Sequence, residues 1–301
     1  MKFYIVTPTF NSLVWLRRCV RSVADQVGEG VEVHHHIQDG GSGDGTIEWL
    51  RAWQAEHADT AGYTLSIESA ADEGMYDALN KAWDTMPDDA EITAHLNSDE
   101  QYLPGALAGV MKVAEKKAGA DMILGTYIVV DAEGKYHCHR RPVMPDRWLS
   151  ITVCEIGTCA CFYRTSFFRA HGVRFDTRYR SIGDLVFYHQ ILQKRPVVSS
   201  CPTLMVSACA MTGSNLAWTD ATRKDEQIYR KEMSPFWPRI HGLSYRFVNA
   251  RRRLVDLFCA APRTYALYEG DKSERVCREI SAPTCKWGVC GAAANTPPGE
   301  G

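Results

Sequence analysis

The stretch FYIVTPTFN, residues 3–11, joins a β-rich run to a polar turn, and this arrangement recurs along the chain as far as residue 120. Behind Asn11 or Ser12, both typical helix N-caps, apolar residues follow at helical spacing, at Leu16, Val20, Val23 and Val27. Further strand candidates lie at 31–37, 63–67 and 92–96, each followed by a helix candidate, at 47–53, 75–82 and 107–114. This alternation predicts an α/β fold with a mostly parallel sheet and helices on both faces.

The pattern changes after residue 120. Two strand candidates, 122–130 and 136–140, flank Ala132-Glu133-Gly134 and predict a hairpin. Short strands and a helix around 186–192 follow, residues 220–268 have a helical pattern with basic clusters, and the Gly- and Pro-rich residues 288–301 are predicted to be disordered. We expect a main domain over 1–218, with halves 1–120 and 121–218, a helical extension over 219–287, and a tail over 288–301.

Charge and cysteine content exclude several classes of protein. The 301 residues carry 34 Lys and Arg against 36 Asp and Glu, a net charge of −2, which argues against a protein that coats nucleic acid. The 11 cysteines are an odd number and lie mostly in apolar or helical stretches, unlike the framework of a short secreted domain. There is no signal-peptide pattern and no run of about 18 apolar residues. The sequence therefore predicts a cytoplasmic protein.

Polar residues follow the second strand candidate at 39–45, DGGSGDG. The stretch fits neither a G-x-G-x-x-G fingerprint nor a P-loop. It is either a flexible turn capped by Asp39 or part of a ligand site, because open α/β sheets bind ligands at the edge where their strands end.

Two adjacent carboxylates, Asp99 and Glu100, close the fourth strand candidate in LNSDE, residues 96–100. Paired acids at a sheet edge need a cation to neutralise them, and Mg²⁺ takes one or two carboxylates plus substrate phosphates. A solvated turn before Pro104 is the competing interpretation.

Two further acidic residues begin or line helix candidates. Asp77 and Lys81 in EGMYDALNK, residues 73–81, are spaced to form a surface ion pair. Asp184 precedes the apolar run Leu185-Val186-Phe187 and is either a helix cap or a general base that faces the cleft.

Taken together and in this order, these segments resemble glycosyltransferase family 2, of the GT-A fold, over about residues 3–215. They are IVTPTFN at 5–11, DGGSGDGT at 39–46, EGMYDALNKA at 73–82, LNSD at 96–99 and the segment around Asp184. The third is similar to the G-I-Y-D-A-M-N-K-G segment of a polysaccharide-type subgroup, and TGSN at 212–215 resembles a glycine loop of that subgroup. Glu100 stands in place of the last Asp of L-N-S-D-D, and Ser181-Ile182-Gly183 also departs from the family pattern.

The resemblance implies a Rossmann-like GT-A fold and an inverting transfer of sugar from a nucleotide-sugar donor to a glycan or lipid-linked acceptor in polysaccharide biosynthesis. A carboxylate that accepts a base N–H favours a UDP- or GDP-sugar. The implied nucleotide-sugar-binding residues are Thr7, Thr9, Asn11, Asp39, Asp77, Lys81, Asn97 and Ser98. Asp99 and Glu100 are the implied ligands of Mn²⁺ or Mg²⁺ on the donor diphosphate, and Asp184 is the implied general base.

The sequence leaves open two alternative functions and also predicts one basic surface. A sugar nucleotidyltransferase would carry a Gly-rich, basic phosphate loop where this chain has Pro8-Thr9-Phe10-Asn11, and a catalytically inactive sugar-nucleotide-binding or scaffolding protein fits the departure at Glu100. Basic clusters at Tyr245-Arg246 and Arg251–Arg253 predict either a solvated face or peripheral contact with the inner face of a membrane.

Overall fold

The computed structural model describes residues 1–28, 30–151, 156–211, 220–233 and 237–286. The glycine loop at 212–215 and the tail at 288–301 lie outside these described residues, so the expectations for them stay predictions.

The described chain alternates strands and helices in its first half, as the sequence predicts. The strands are β1 Lys2–Thr9, β2 Glu32–Asp39, β3 Tyr63–Ser69, β4 Ile92–His95, β5 Glu100–Tyr102, β6 Met122–Val130, β7 Tyr136–Arg140, β8 Cys161–Arg164, β9 Val198–Ala210, β10 Thr264–Tyr268 and β11 Arg275–Glu279. The α-helices are α1 Leu13–Ala24, α2 Thr46–Glu56, α3 Met75–Asp84, α4 Ala106–Lys116, α5 Thr165–Ala170, α6 Gly183–Gln193, α7 Asp220–Met233 and α8 Trp237–Phe258.

The main sheet has the order β3-β2-β1-β4-β8-β6-β9-β5, and β7 pairs with β6. Strands β1 to β4 are mutually parallel, while β8 runs antiparallel to both β4 and β6. The register pairs Thr9 with Asp39 and Asp39 with Ser69, so the polar residues that end these strands meet at one edge of the sheet. This edge is where the sequence predicts the ligand site.

Both faces of the sheet are covered, which confirms the predicted fold class. Phe3 and Ile5 of β1 pack into one buried cluster with Leu16 and Val20 of α1. Tyr4 and Val6 point the other way, into a second cluster that contains residues of α3 and α6. The period of two along a strand thus delivers alternate side chains to two separate helix layers.

The C-terminal part contains the predicted helices and, in addition, a hairpin that the sequence analysis missed. The prediction of helix over 264–268 is wrong, because these residues form β10, which pairs antiparallel with β11. The main chain of Tyr268 exchanges two hydrogen bonds with the Gln101 side chain, at 2.9 and 3.0 Å. Tyr265 and Leu267 are buried in a cluster with residues of β6 and β9, so long-range packing outweighs local propensity here.

Helix α7 packs against α6, the helix that carries Asp184. Tyr229 of α7 is buried beside Leu185 and Val186 of α6. Among the described residues, no helix is long and apolar enough to cross a membrane.

Candidate active site

A cleft of about 520 Å³ opens at the edge where β1 and β4 end. Its lining comes from the turn after β1, the segment before α3 and the segment after β4. The lining residues are Pro8, Thr9, Phe10, Asn11, Ser12, Trp15, Asp72, Gly74, Met75, Ala78, Asn97, Ser98 and Asp99. Five residues predicted from sequence therefore share one cavity: Thr9, Asn11, Asn97, Ser98 and Asp99.

A chain of hydroxyl groups joins two of these segments. The Thr9 and Ser12 hydroxyls are hydrogen-bonded at 2.8 Å, and the Ser12 hydroxyl donates to the Ser98 Oγ at 3.0 Å. Ser12 thereby ties the turn after β1 to the acidic segment after β4. It is a residue that the sequence analysis named only as a helix cap.

Asn11 fastens the glycine-rich turn of 39–45 to the same edge. Its backbone N–H donates to the Ser42 Oγ at 2.8 Å, and its Oδ1 accepts the Gly43 N–H at 2.9 Å. Asn11 has φ 46°, in the left-handed region that asparagine tolerates better than most residues. The two hydrogen bonds thereby hold this turn against the cleft-lining residue Asn11.

Two predicted nucleoside contacts lie away from the cavity wall. Thr7 is fully buried, and its hydroxyl bonds the His35 Nε2 at 2.9 Å inside the core. Asp39 is also fully buried and accepts four hydrogen bonds, from the Gly41 and Ser42 N–H groups and from the Ser42 and Ser69 hydroxyls. Four donors match the acceptor capacity of a carboxylate, so in this structure Asp39 organises the turn.

The acidic segment after β4 separates its two carboxylates. Asp99 lines the cleft, whereas Glu100 begins β5 and is only 3% exposed. The Glu100 carboxylate accepts the Asn97 N–H at 2.7 Å. Burial first, and then the nearby Asp99 carboxylate, raise the pKa of Glu100 to about 8. Glu100 therefore braces the segment from behind, while Asp99 and Ser98 face the cavity.

The oxygen atoms of this segment fit a hard divalent cation. The buried Asn97 Oδ1 has no hydrogen-bond partner among the described residues, although Asn97 lines the cleft beside Asp99. Buried polar atoms are normally satisfied, so a ligand or cation on this oxygen would complete the site. Among the described residues, no group of three or more His, Cys, Asp and Glu side chains is placed to hold a metal ion.

Asp77 and Lys81 form the ion pair that their spacing predicts. Lys81 Nζ lies 2.8 Å from the Asp77 carboxylate, which also accepts the Glu73 N–H at 3.0 Å. Neither residue lines the cleft. The pair stabilises the start of α3. That Asp77 and Lys81 bind the nucleotide-sugar stays a prediction.

Asp184 lies in the first turn of α6, as predicted, and contacts Tyr76 of α3. Neither side chain is among those that line the cleft, so the prediction that Asp184 faces the cleft stays a prediction. The Tyr76 hydroxyl donates to Asp184 Oδ1 at 3.2 Å. Two other residues of the same helix turn, Met75 and Ala78, line the cleft. A Cβ on Gly183 would come within 2.3 Å of the Tyr76 ring. Gly183, the last residue of the stretch that departs from the family pattern, therefore creates the space in which Tyr76 reaches Asp184.

The environment of Asp184 suits a proton acceptor. Burial raises the pKa of Asp184 to about 6, and the hydrogen bond from Tyr76 limits that rise. A carboxylate with this pKa is ionised at neutral pH and is a stronger base than an exposed aspartate.

The structure adds Asp72, Phe10 and Tyr76 to the residues that sequence predicted. Asp72 and Phe10 line the cleft, and both approach Gly40, where a Cβ would lie 2.9 Å from Asp72 Oδ2 and 3.3 Å from the Phe10 ring. Phe10 is 61% exposed although it is aromatic. An acid directly before the EGMYDALNK segment and an aromatic residue in a polar turn were the available sequence signals.

Comparisons with known proteins place the chain among glycosyltransferases. A family model described as Glycosyl transferase family 2 matches residues 4–174. The match includes all the residues that line the cleft and ends before Asp184. No curated protein matches the sequence.

Solved structures share the fold at low sequence identity. S. aureus TarS matches with a TM-score of 0.55 and 16% identity, over 71% of this chain and 38% of TarS. TarS 1–349 in complex with UDP-GlcNAc gives 0.58 and 15%, over 76% of this chain and 65% of that one. The mannosyltransferase PcManGT from Pyrobaculum calidifontis, in complex with GDP-Man and Mn²⁺, gives 0.54 and 15%, over 84% and 73%. The likeness confirms the GT-A fold, and this chain spans well under half the length of TarS.

Proposed function

The chain belongs to glycosyltransferase family 2, and we propose that it moves a sugar, with inversion, from a nucleoside diphosphate donor to a hydroxyl of a glycan or lipid-linked acceptor. Members of this family transfer sugars, and the proposal adds the donor class, the acceptor and the stereochemistry. The observation that carries the proposal is one cleft lined by hydroxyl, amide and carboxylate oxygens at the strand ends. Helix α3 borders this cleft, and its Tyr76 is hydrogen-bonded to Asp184.

The donor diphosphate is assigned to the strand-end side of the cleft. Thr9, Ser12 and Ser98 offer hydroxyl groups there, and Asp99 with Asn97 would hold the divalent ion. Such an ion neutralises charge that develops on the leaving diphosphate. Complexes of TarS with UDP-GlcNAc and of PcManGT with GDP-Man and Mn²⁺ support this class of donor and metal. Glu100, predicted as a second ligand, is proposed here to position the segment.

The nucleobase is assigned to the end of the cleft bounded by Phe10 and Asp72. The exposed Phe10 ring offers a stacking surface, and the Asp72 carboxylate can accept an N–H of uracil or guanine. Asp39 then acts indirectly, through the turn that it organises. Thr7 supports the strand from the core.

The acceptor hydroxyl is assigned to the side of Asp184. As the acceptor oxygen bonds to the anomeric carbon, the bond from that carbon to the diphosphate breaks and the hydroxyl proton passes to the Asp184 carboxylate. Attack from the face opposite the leaving group inverts the anomeric configuration. Tyr76 holds the carboxylate through its 3.2 Å hydrogen bond.

The alternative is a catalytically inactive sugar-nucleotide-binding protein, and the experiment must distinguish it from an active transferase. The segment at the end of β1 is Pro8-Thr9-Phe10-Asn11, without glycine or a basic residue, which disfavours a nucleotidyltransferase. A polysaccharide-biosynthesis role and a cytoplasmic location stay predictions.

A donor screen tests the proposed function. Thermal shift with UDP-, GDP- and CDP-sugars, each with Mn²⁺ and with EDTA, identifies a donor, and release of the nucleoside diphosphate in the presence of glycan and lipid-linked acceptors then measures turnover. We expect metal-dependent stabilisation by a UDP- or GDP-sugar and nucleotide release with an acceptor. Binding without any turnover would favour the inactive alternative, and no binding would contradict the proposal.

A further inference from the structure

One face of α8 exposes a continuous apolar stripe. Its members are Ile240, Leu243, Phe247, Leu254 and Leu257, whose exposed fractions run from 41% to 81%. At 3.6 residues per turn these positions fall within an arc of roughly 100°. Val248 and Ser244, at other positions on the same helix, are buried against the protein. An apolar stripe of this length in water indicates an interaction surface.

The exposed charges of α8 itself have a single sign. The sequence of α8 contains five arginines and one carboxylate, Asp256. Asp256 lies on the inner side, 2.5 Å from His139 and 2.9 Å from Arg141. Arg246 and Arg253 are exposed and, at 3.6 residues per turn, lie along one edge of the stripe, so this border is positive.

A neighbouring loop extends the surface. Arg251 donates to the carbonyl of Met144, and Met144 and Trp148 are 50% and 69% exposed. The Arg147 guanidinium stacks on the Trp148 ring at 4.6 Å. Tryptophan is enriched at the boundary between water and lipid, and arginine is common on the polar side of surfaces that bind there.

We propose that this stripe, with its arginine border and the loop of Met144 and Trp148, docks the protein on the surface of an anionic lipid bilayer. An apolar face bordered by arginines can enter the headgroup region while the guanidinium groups contact lipid phosphates. A second copy of this chain is the less favoured occupant, because pairing two such stripes would bring arginines together with no exposed acid on α8 to neutralise them. The inference extends the proposed function by naming the surface on which a lipid-linked acceptor would be met.

Vesicle co-sedimentation of the full chain, without donor or acceptor, tests the proposal independently of catalysis. We expect binding to vesicles of equal parts phosphatidylcholine and phosphatidylglycerol, at least about tenfold weaker binding to phosphatidylcholine alone, and weaker binding as salt rises. Leu254→Glu should reduce binding about tenfold or more, whereas Val197→Glu, at an exposed apolar residue outside the stripe, should not.

Charge reversal at the exposed arginines provides a second test. The double variant Arg246→Glu with Arg253→Glu should lose binding, while Arg246→Lys with Arg253→Lys should keep it, and melting temperatures should match the wild type. Absence of binding to anionic vesicles, or full binding by Leu254→Glu, would overturn the proposal. A dimer in sedimentation velocity that Leu254→Glu dissociates, without vesicle binding by the wild type, would also overturn it and assign the face to self-association.

Discussion

The two sides of the candidate site are built by different means. The strand side joins Thr9, Ser12 and Ser98 through hydroxyl bonds of 2.8 and 3.0 Å, at the ends of strands that neighbour each other in the sheet. The helix side joins Tyr76 and Asp184, which are 108 residues apart in sequence. It forms only because Gly183 leaves space for the Tyr76 ring.

This difference matches two chemical tasks. The strand side offers many partly exposed oxygens, which suit the binding of a diphosphate and its cation. The helix side offers one carboxylate whose surroundings raise its pKa to about 6, which suits proton transfer. Changes on the strand side should therefore weaken donor binding, and changes on the helix side should slow turnover.

The largest effect is expected from Asp184→Asn. Asparagine keeps the shape of the side chain and its oxygen can still accept the Tyr76 hydrogen bond, but it cannot accept the proton. We expect turnover to fall about 10²- to 10⁴-fold, with donor affinity and melting temperature little changed. Asp176→Asn, which removes a 2.6 Å ion pair with Arg178 outside the cleft, is the matched control. Near-wild-type turnover by Asp184→Asn would remove it from the mechanism.

A smaller effect, of about 1–3 kcal/mol on stability, is expected from Gly183→Ala. The added methyl group would lie 2.3 Å from the Tyr76 ring, which stacks on Phe175 with ring centroids 4.7 Å apart and so cannot easily move away. Chemical denaturation and turnover should both be affected. Gly119→Ala, where an added Cβ meets nothing within 4 Å, should be nearly neutral. Equal behaviour of the two variants would show that the close packing beside Asp184 has no importance.

The smallest effect is expected from Tyr76→Phe, and it concerns pH. Because Asp184 must be ionised to act as a base, turnover should rise with pH through about 6 and level off above neutrality. The Tyr76 hydrogen bond lowers the pKa of Asp184, so its removal should move this rise upward by roughly 0.4 to 1 pH unit. A pH profile of kcat measures the shift. An unchanged profile would indicate that Tyr76 only packs beside the carboxylate.

The sequence predicts the strand side better than the helix side for a physical reason. Alternating strands and helices place the ends of β1 and β4 at one edge, so Thr9, Asn11 and Asp99 can be grouped without knowing any tertiary contact. The Tyr76–Asp184 contact depends on how α3 packs against α6, and no local pattern encodes it. Asp184 itself was predicted through a resemblance to a family and through its place before an apolar helix.

The directions of individual side chains also could not be predicted from the sequence. Asp99 and Glu100 are adjacent and chemically alike, but β5 pairs with β9 and turns Glu100 inward. Asp39 ends a strand at the predicted edge, yet the turn that follows it supplies four donors to its carboxylate. The strand β5 and the hairpin of β10 and β11 were missed because their pairing partners are remote in sequence.

Calorimetric titration of the nucleoside diphosphate that the donor screen selects, in the presence of Mn²⁺, tests the division between the two sides most directly. The wild type, Asp99→Asn and Asp184→Asn are compared, with EDTA as the control for metal dependence. We expect Asp99→Asn and EDTA each to weaken binding about 100-fold or more, whereas Asp184→Asn should bind like the wild type. Equal affinity with Mn²⁺ and with EDTA, or normal binding by Asp99→Asn, would contradict it.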